Sequence, residues 1–226
     1  MWQQVEPARQ RVVMYGAADQ ARVNRPILED LGCVIVALID DTPGLRSPFA
    51  GVPLLFGWEG FAAWLRNEDP SALGFVIAIG QPYGHVRCAL HDRMVDAGVA
   101  PVSFADRTAL ISDSAVLGDG LQVMPQALVH PEARIGRQCI LNTRALVEHD
   151  CVLEDGVEIA PGAVLTGRVH VGANTWIGAG ATVRPRVRIG RNTIVGAGAV
   201  VGTDIPDNVV AVGVPARPSR TRVACD

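Results

Sequence analysis

An aliphatic residue returns at every sixth position through the whole second half of this chain. Stepping from Ile111 gives Leu117, Val123, Val129, Ile135, Leu141, Val147, Leu153, Ile159, Leu165, Val171, Ile177, Val183, Ile189, Val195 and Val201, sixteen consecutive positions without exception. Four residues after each stands Ala, Cys, Thr, Val, Leu or, at the end, Ile205. Gly follows the aliphatic residue at Gly118, Gly136, Gly172, Gly178, Gly190, Gly196 and Gly202. Self-similarity at a fixed short period is the mark of a repeat architecture. The arrangement that satisfies it is a triangular prism, in which each hexapeptide supplies a short strand and a turn and three hexapeptides make one 18-residue coil. The aliphatic residues stack inside, small residues fill the tight space beside them, and the glycines are expected to relieve turns that need φ > 0.

At roughly 4.8 Å per coil, residues 105–205 make a column on the order of 25 Å long. No insertion interrupts it, and the expected fold of this half is a left-handed parallel β-helix. The first half reads differently. RVVMYG (11–16), VIVALIDD (34–41), VPLLFG (52–57), FVIAIG (75–80) and PVSF (101–104) are strand-like, and they alternate with helical stretches. That alternation predicts a small parallel α/β domain of Rossmann type, with Pro26 in or near the first turn of its helix, or kinking it. The chain therefore divides into a small Rossmann-like α/β domain over 1–104 and a β-helix with a basic tail over 105–226.

Composition narrows the chemistry. A net charge of −3 gives no reason to expect nucleic acid as a partner. No apolar run is long enough to span a membrane, and MWQQVEPARQ lacks the pattern of a signal peptide, so a cytoplasmic protein is expected. The five cysteines (Cys33, Cys88, Cys139, Cys151, Cys225) form no C-x-x-C pair, which argues against a disulfide framework or a structural zinc site. All 20 basic residues are Arg, which excludes any lysine mechanism.

In a sheet of Rossmann type, ligands lie at the carboxyl ends of the strands. Three segments fall there: Gly16-Ala17-Ala18-Asp19-Gln20, Ile39-Asp40-Asp41, and Gly80-Gln81-Pro82-Tyr83-Gly84. A helix start after the first strand offers amides to a phosphate, and Asp40 or Asp41 lies where an acid accepts ribose hydroxyls. Only one Gly of a G-x-G-x-x-G is present, so Gly16 as a plain turn and the Asp pair as a solvated strand end remain equally open.

On the prism, the 18-residue register places His130, His149, Arg168, His170 and Arg186 on one corner or face of successive coils. Three readings of His149 stand side by side. It could be a general base, oriented by Asp150 or Glu148, for an amine or hydroxyl attacking a thioester. The three histidines could instead hold Zn²⁺ as in γ-class carbonic anhydrases. Or His149 could be an exposed turn residue.

The stretch LNTRALVEHDCVLEDGVEIAPGAVLTGRVHVGANTWIGAGATVRPRVRIG, with VGAGAVVGTDIPDNVVAVGVPARP after it, closely resembles the PglD/NeuD-type sugar acetyltransferases, and the domain order matches along the whole chain. The resemblance implies an acetyl-CoA-dependent N-acetyltransferase acting on a nucleotide-linked 4-amino-4,6-dideoxysugar in bacterial glycan (lipopolysaccharide or O-antigen) synthesis. A sialic-acid-type O-acetyltransferase is the alternative within the family. It implies His149 as catalytic base and Asp150 as the acid that raises its basicity. It places the nucleotide sugar against Ala18, Asp19, Gln20, Asp40, Asp41 and Gly80, and coenzyme A along coils near Gly167, Ala179 and Ala197. It implies a homotrimer with active sites between neighbouring prisms, and no metal.

The chain also departs from the family. GAADQA replaces a loop that usually reads G-A-G-G-H-G. The loop after Gly80 is longer than the usual G-x-N-x-x-R and carries Pro82 and Tyr83. Glu158 stands where many members have a histidine near the thioester, so it is expected either as a further acid beside the cofactor or as a solvated turn residue. Trp176 is expected on the outer surface as a trimer contact. A zinc-dependent lyase and a non-catalytic nucleotide-binding trimer are the readings outside the family.

Overall fold

The computed structural model describes residues 10–222, and they fall into two compact units. Residues 10–79 and 89–103 form one, and residues 80–88 join 104–222 in the other. The first ten-residue stretch, read above for a leader, and Cys225 lie mostly or wholly outside the described residues.

The first unit is a five-stranded sheet built from β1 (Arg11–Tyr15), β2 (Val34–Asp40), β3 (Leu54–Phe56), β4 (Leu73–Ile77) and β5 (Ala100–Pro101). Their order is β3-β2-β1-β4-β5 and every pairing is parallel. The three central runs are apolar along their length because helices must cover both faces of such a sheet. Val13, Ile39, Phe75 and Ile77 are each fully buried. Helices α1 (Asp19–Asp30), α2 (Gly57–Leu65) and α3 (Gly84–Asp96) connect them. Pro26 sits inside α1, beyond the first turn. Gly16, at φ +102, brings the end of β1 so close to β4 that a Cβ there would overlap the Ala78 carbonyl. This turn therefore requires glycine.

The second unit is the prism. Two-residue strands pair in parallel with the strand eighteen residues on, as in Leu128↔Leu146 and Val129↔Val147, and they stack into three sheets that form three faces. Backbone bonds run from coil to coil, such as Leu128 N–H to Ala145 O at 2.8 Å and His130 N–H to Val147 O at 2.9 Å. The sixfold aliphatic column is the core: Val147, Leu165, Val183 and Val201 are fully buried beside Ala145, Ala163 and Ala181.

The glycines after the aliphatic positions do not serve positive φ. The left-handed residues lie two further on, at every sixth position from Gly120 to Gly198, and include Gln138 (φ 54), Asp150 (φ 57) and Asn174 (φ 57). Gly118, Gly136, Gly172 and Gly178 are needed because coils stack too closely for a side chain. A Cβ on Gly172 would lie 2.5 Å from the Arg191 nitrogen of the next coil. The C-terminal segment is also more ordered than a flexible tail. Val209–Gly213 continues one face in parallel, and Ala216–Thr221 turns back on it antiparallel, so the hairpin covers the final strand edge. No helix among the described residues is long and apolar enough to cross a membrane.

Candidate active site

Asp150 occupies one of the left-handed corner positions, a conformation that Asp tolerates better than most residues. That conformation, held by its N–H bond to Pro131 O at 3.1 Å, directs the carboxylate back along its own coil to the preceding residue. His149 Nδ1 and Asp150 Oδ2 are 2.7 Å apart. A carboxylate only accepts, so the proton lies on Nδ1 and Nε2 presents its lone pair. Hydrogen bonding from His149, then the nearby Arg168 guanidinium 3.6 Å away, hold the Asp150 carboxyl below the usual carboxylate range against its slight desolvation. His149 is half-exposed, with 52% of its side chain accessible, so a substrate can reach it.

The coil above completes the arrangement. Arg168 N–H donates to His149 O at 2.9 Å, and the imidazole ring lies over Gly167. A Cβ at Gly167 would come 2.5 Å from His149 Nε2 and 2.7 Å from Cε1. Gly167 was expected from the resemblance only as a coenzyme A contact. The structure adds that it makes room for the ring, and a glycine eighteen residues after the histidine is the signal that points to this. Ala179 and Ala197 are exposed and stacked on another corner of the prism, with Gly198 N–H bonded to Ala179 O at 2.8 Å. The face of Leu146–Val147, Val164–Leu165, Thr182–Val183 and Val200–Val201 lies between that corner and the one carrying His149 and Gly167.

The three histidines do not share one site. His130 Nδ1 lies 3.7 Å from Glu148 Oε2, on the coil before His149. His170 is on a different face, in the strand His170–Val171, and its Nε2 is 2.8 Å from Glu154 Oε1. Each has its own acid, and no group of three or more His, Cys, Asp or Glu among the described residues converges as metal ligands. The expectation of one common corner fails for His170 because it sits in a strand and not at a turn. The cleft of about 690 Å³ that His170, Glu154, Arg188 and Arg191 line does not include His149.

In the first unit, the residues named for the nucleotide sugar have separate tasks. Ala18 is the residue before α1, and Asp19, exposed at the helix start, pairs with Arg22 at 3.0 Å. Gln20 donates to the buried Asn24 at 3.0 Å. Asp40 accepts the Ala17 N–H at 2.8 Å and the Thr42 N–H at 2.9 Å, so both its oxygens hold backbone. Burial alone would raise its pKa, but the bonds from Thr42 and Ala17 outweigh it and the pKa is lowered. Asp41 is exposed and accepts the Tyr15 hydroxyl at 3.0 Å. Burial, then that bond to Asp41, push Tyr15 up to about 12, so it remains a donor. Asp40 thus ties the β1–α1 turn together and Asp41 is the acid left open to a ligand.

Gly80 and Glu158 belong with the prism. Glu158 is neither an open cofactor contact nor a solvated turn residue. It is buried in a coil strand, 3.7 Å from the Nη1 of Arg87, with 7% and 1% of the two side chains exposed. Trp176, expected as a surface residue, is partly buried in the next coil of the same face, its Nε1 enclosed with no acceptor among the described residues.

Residues 168–203 match the family described as bacterial transferase hexapeptide (six repeats). A histidine-to-alanine variant of the GDP-perosamine N-acetyltransferase of Caulobacter crescentus, solved with CoA and GDP-perosamine, is 34% identical, with a TM-score of 0.84 over 92% of this chain and 96% of that one. The acetyltransferase domain of PglB from Neisseria gonorrhoeae, solved with acetyl coenzyme A, is 27% identical, with a TM-score of 0.82 over 94% and 100%. WeeI from Acinetobacter baumannii is 28% identical, with a TM-score of 0.75 over 92% and 99%. An α/β unit joined to a hexapeptide prism, matched along almost its whole length by such a relative, places the chain in the PglD/NeuD-type sugar acetyltransferase family.

Proposed function

We propose that this chain transfers the acetyl group of acetyl-CoA to the amino group of a nucleotide-linked 4-amino-4,6-dideoxysugar. The observation that carries the reading is the His149–Asp150 pair, 2.7 Å apart on a half-exposed imidazole, on a fold whose relative is described with CoA and GDP-perosamine bound. An ammonium group has no lone pair, so the acceptor reacts as the neutral amine, its extra proton left to solvent. As the amine nitrogen bonds to the thioester carbon it must shed one further proton, and His149 Nε2 takes it. Asp150 holds the ring and stabilises the imidazolium. Backbone amides of the coils stabilise the tetrahedral oxyanion. Collapse breaks the carbon–sulfur bond, and the proton held by His149 passes to the departing CoA thiolate.

The same reading assigns the nucleotide to the Asp41 side of the first unit and coenzyme A to the exposed backbone near Gly167, Ala179 and Ala197. It includes a homotrimer, a cytoplasmic setting and a place in lipopolysaccharide or O-antigen synthesis. The amine is favoured over a hydroxyl acceptor because the relative is named for N-acetylation. Thermal-shift titration with acetyl-CoA, UDP, GDP, dTDP, CMP-sialic acid and zinc tests the assignment. A ligand at about 100 times its Kd adds roughly 2.7 kcal/mol to the folded state. Stabilisation by acetyl-CoA and one nucleotide is expected; a response to zinc alone would refute it.

A further inference from the structure

The buried charges of Arg87 and Glu158 have no role in the chemistry above, and stability alone gives little reason for them. Taking two charges out of water costs several kcal/mol per ion in typical cases, and well-packed apolar residues often replace such a pair without loss. What distinguishes the pair is what it holds. Arg87 Nε donates to Gln138 O at 3.0 Å and Nη2 to Gly156 O at 2.8 Å, which spans two coils of the prism. Glu158 accepts the backbone N–H of Gln81 and a bond from the Asn142 side chain.

The loop between these anchors is the Gly80–Gly84 segment, which follows β4 directly in the chain. Arg222 Nη2 donates to its Pro82 carbonyl at 2.9 Å. Gly84 lies so close to the prism corner that a Cβ there would overlap the Gly156 carbonyl and come 3.0 Å from the Asn174 Cα. The loop is therefore held at Gln81, Pro82, Gly84 and Arg87, while the Tyr83 side chain between them stays 47% exposed. A large aromatic on a fixed loop makes a contact surface with little conformational entropy left to lose.

We propose that the Arg87–Glu158 pair is a positioning device that fixes the Gly80–Gly84 loop so that Tyr83 contacts the nucleotide-sugar acceptor. This rests on the acetyltransferase reading above. Glu158 then affects acceptor binding through the loop and not through the thioester. Steady-state kinetics of the full chain test it, with acetyl-CoA and the nucleotide-linked amino sugar that the unaltered protein turns over, GDP-perosamine being the first to try. Replacing the pair together (Arg87→Met with Glu158→Leu) leaves no uncompensated buried charge, and its kinetics are read on protein shown by circular dichroism to be folded at the assay temperature. KM for the sugar nucleotide should rise about tenfold or more while KM for acetyl-CoA stays within about twofold.

Tyr83→Ala is exposed and carries no folding risk, and it should raise the same KM by about fivefold or more with little change for acetyl-CoA. An unchanged acceptor KM in Tyr83→Ala, or in a folded double variant, overturns the proposal. A matching rise in KM for acetyl-CoA overturns it as well, since that is the signature of a general structural loss. If the unaltered protein acetylates no nucleotide-linked amino sugar, the acetyltransferase reading fails first and the proposal with it.

Discussion

Substituting Gly167 by Ala separates the site from the scaffold. Gly167 has no positive φ, so an L-residue fits its backbone, and loss of glycine should by itself favour the folded state by about 0.4–1 kcal/mol through the unfolded chain. The new methyl carbon would start 2.5 Å from His149 Nε2 and 2.7 Å from Cε1. Comfortable contact lies near 3.5 Å, so the half-exposed ring must retreat by roughly 1 Å. His149 Nδ1 is 2.7 Å from Asp150 Oδ2, and a shift of that size takes the pair to the limit of a hydrogen bond while moving Nε2 off its line of approach to the amine. Misplacement by about 1 Å costs on the order of 10²-fold in rate, or roughly 2.7 kcal/mol. Measured by thiol release from acetyl-CoA under saturating acceptor, kcat of Gly167→Ala should fall about a hundredfold with Tm unchanged or slightly raised. A kcat within about threefold of the original would refute the claim that the ring is seated on Gly167, as would a loss that simply tracks a falling Tm.

The other expectations concern neighbouring parts of the same account. Gly172→Ala should behave in the opposite way, because its Cβ meets the backbone of the next coil at 2.5 Å and the coils cannot part; a loss of roughly 1–3 kcal/mol in urea unfolding is expected. Asp40→Asn should destabilise the chain at neutral pH. The folded pKa of Asp40 is depressed, so its contribution is present above the unfolded value near 3.9 and is lost as pH falls through the folded one. The stability gap between the two proteins should therefore be constant from about pH 6 upward and close in acid; a gap that widens in acid would be the wrong sign. Asp41→Asn should instead raise KM for the sugar nucleotide without changing urea midpoints. Cys139 and Cys151, whose thiols burial pushes up to about 12 and about 11, should resist a thiol reagent at pH 8 until the chain is unfolded.

The prism was legible because its constraint is local and repeats. Each aliphatic residue is required by the one eighteen positions away, so Ile111 to Val201 announces both the coils and their register. The pair proposed for catalysis stood out for a different reason: nothing in the repeat calls for a histidine at 149, although Asp150 also suits its left-handed corner. What escaped the sequence depends on distances between residues far apart in the chain. The glycines after the aliphatic positions were read as turn formers, but their use is in the separation between coils, which no single hexapeptide expresses. Asp40 and Asp41 are adjacent and alike in type, and only the Ala17 and Thr42 amides distinguish the structural one from the open one. Glu158 departs from the family pattern visibly. Its partner, however, is Arg87, far earlier in the chain, so its burial as half of an ion pair could not be read from its neighbours.

The most direct test of the central claim is acetyl transfer itself. Purified protein is incubated with acetyl-CoA and, in turn, nucleotide-linked 4-amino-4,6-dideoxysugars bearing each common nucleoside diphosphate, with free thiol and product mass followed together. The account predicts that one of them gains a single acetyl group on its amine for each CoA released. It also predicts that His149→Asn lowers this rate by roughly 10²- to 10⁴-fold with the fold intact. No transfer to any of these amines, or undiminished transfer by folded His149→Asn protein, would contradict it.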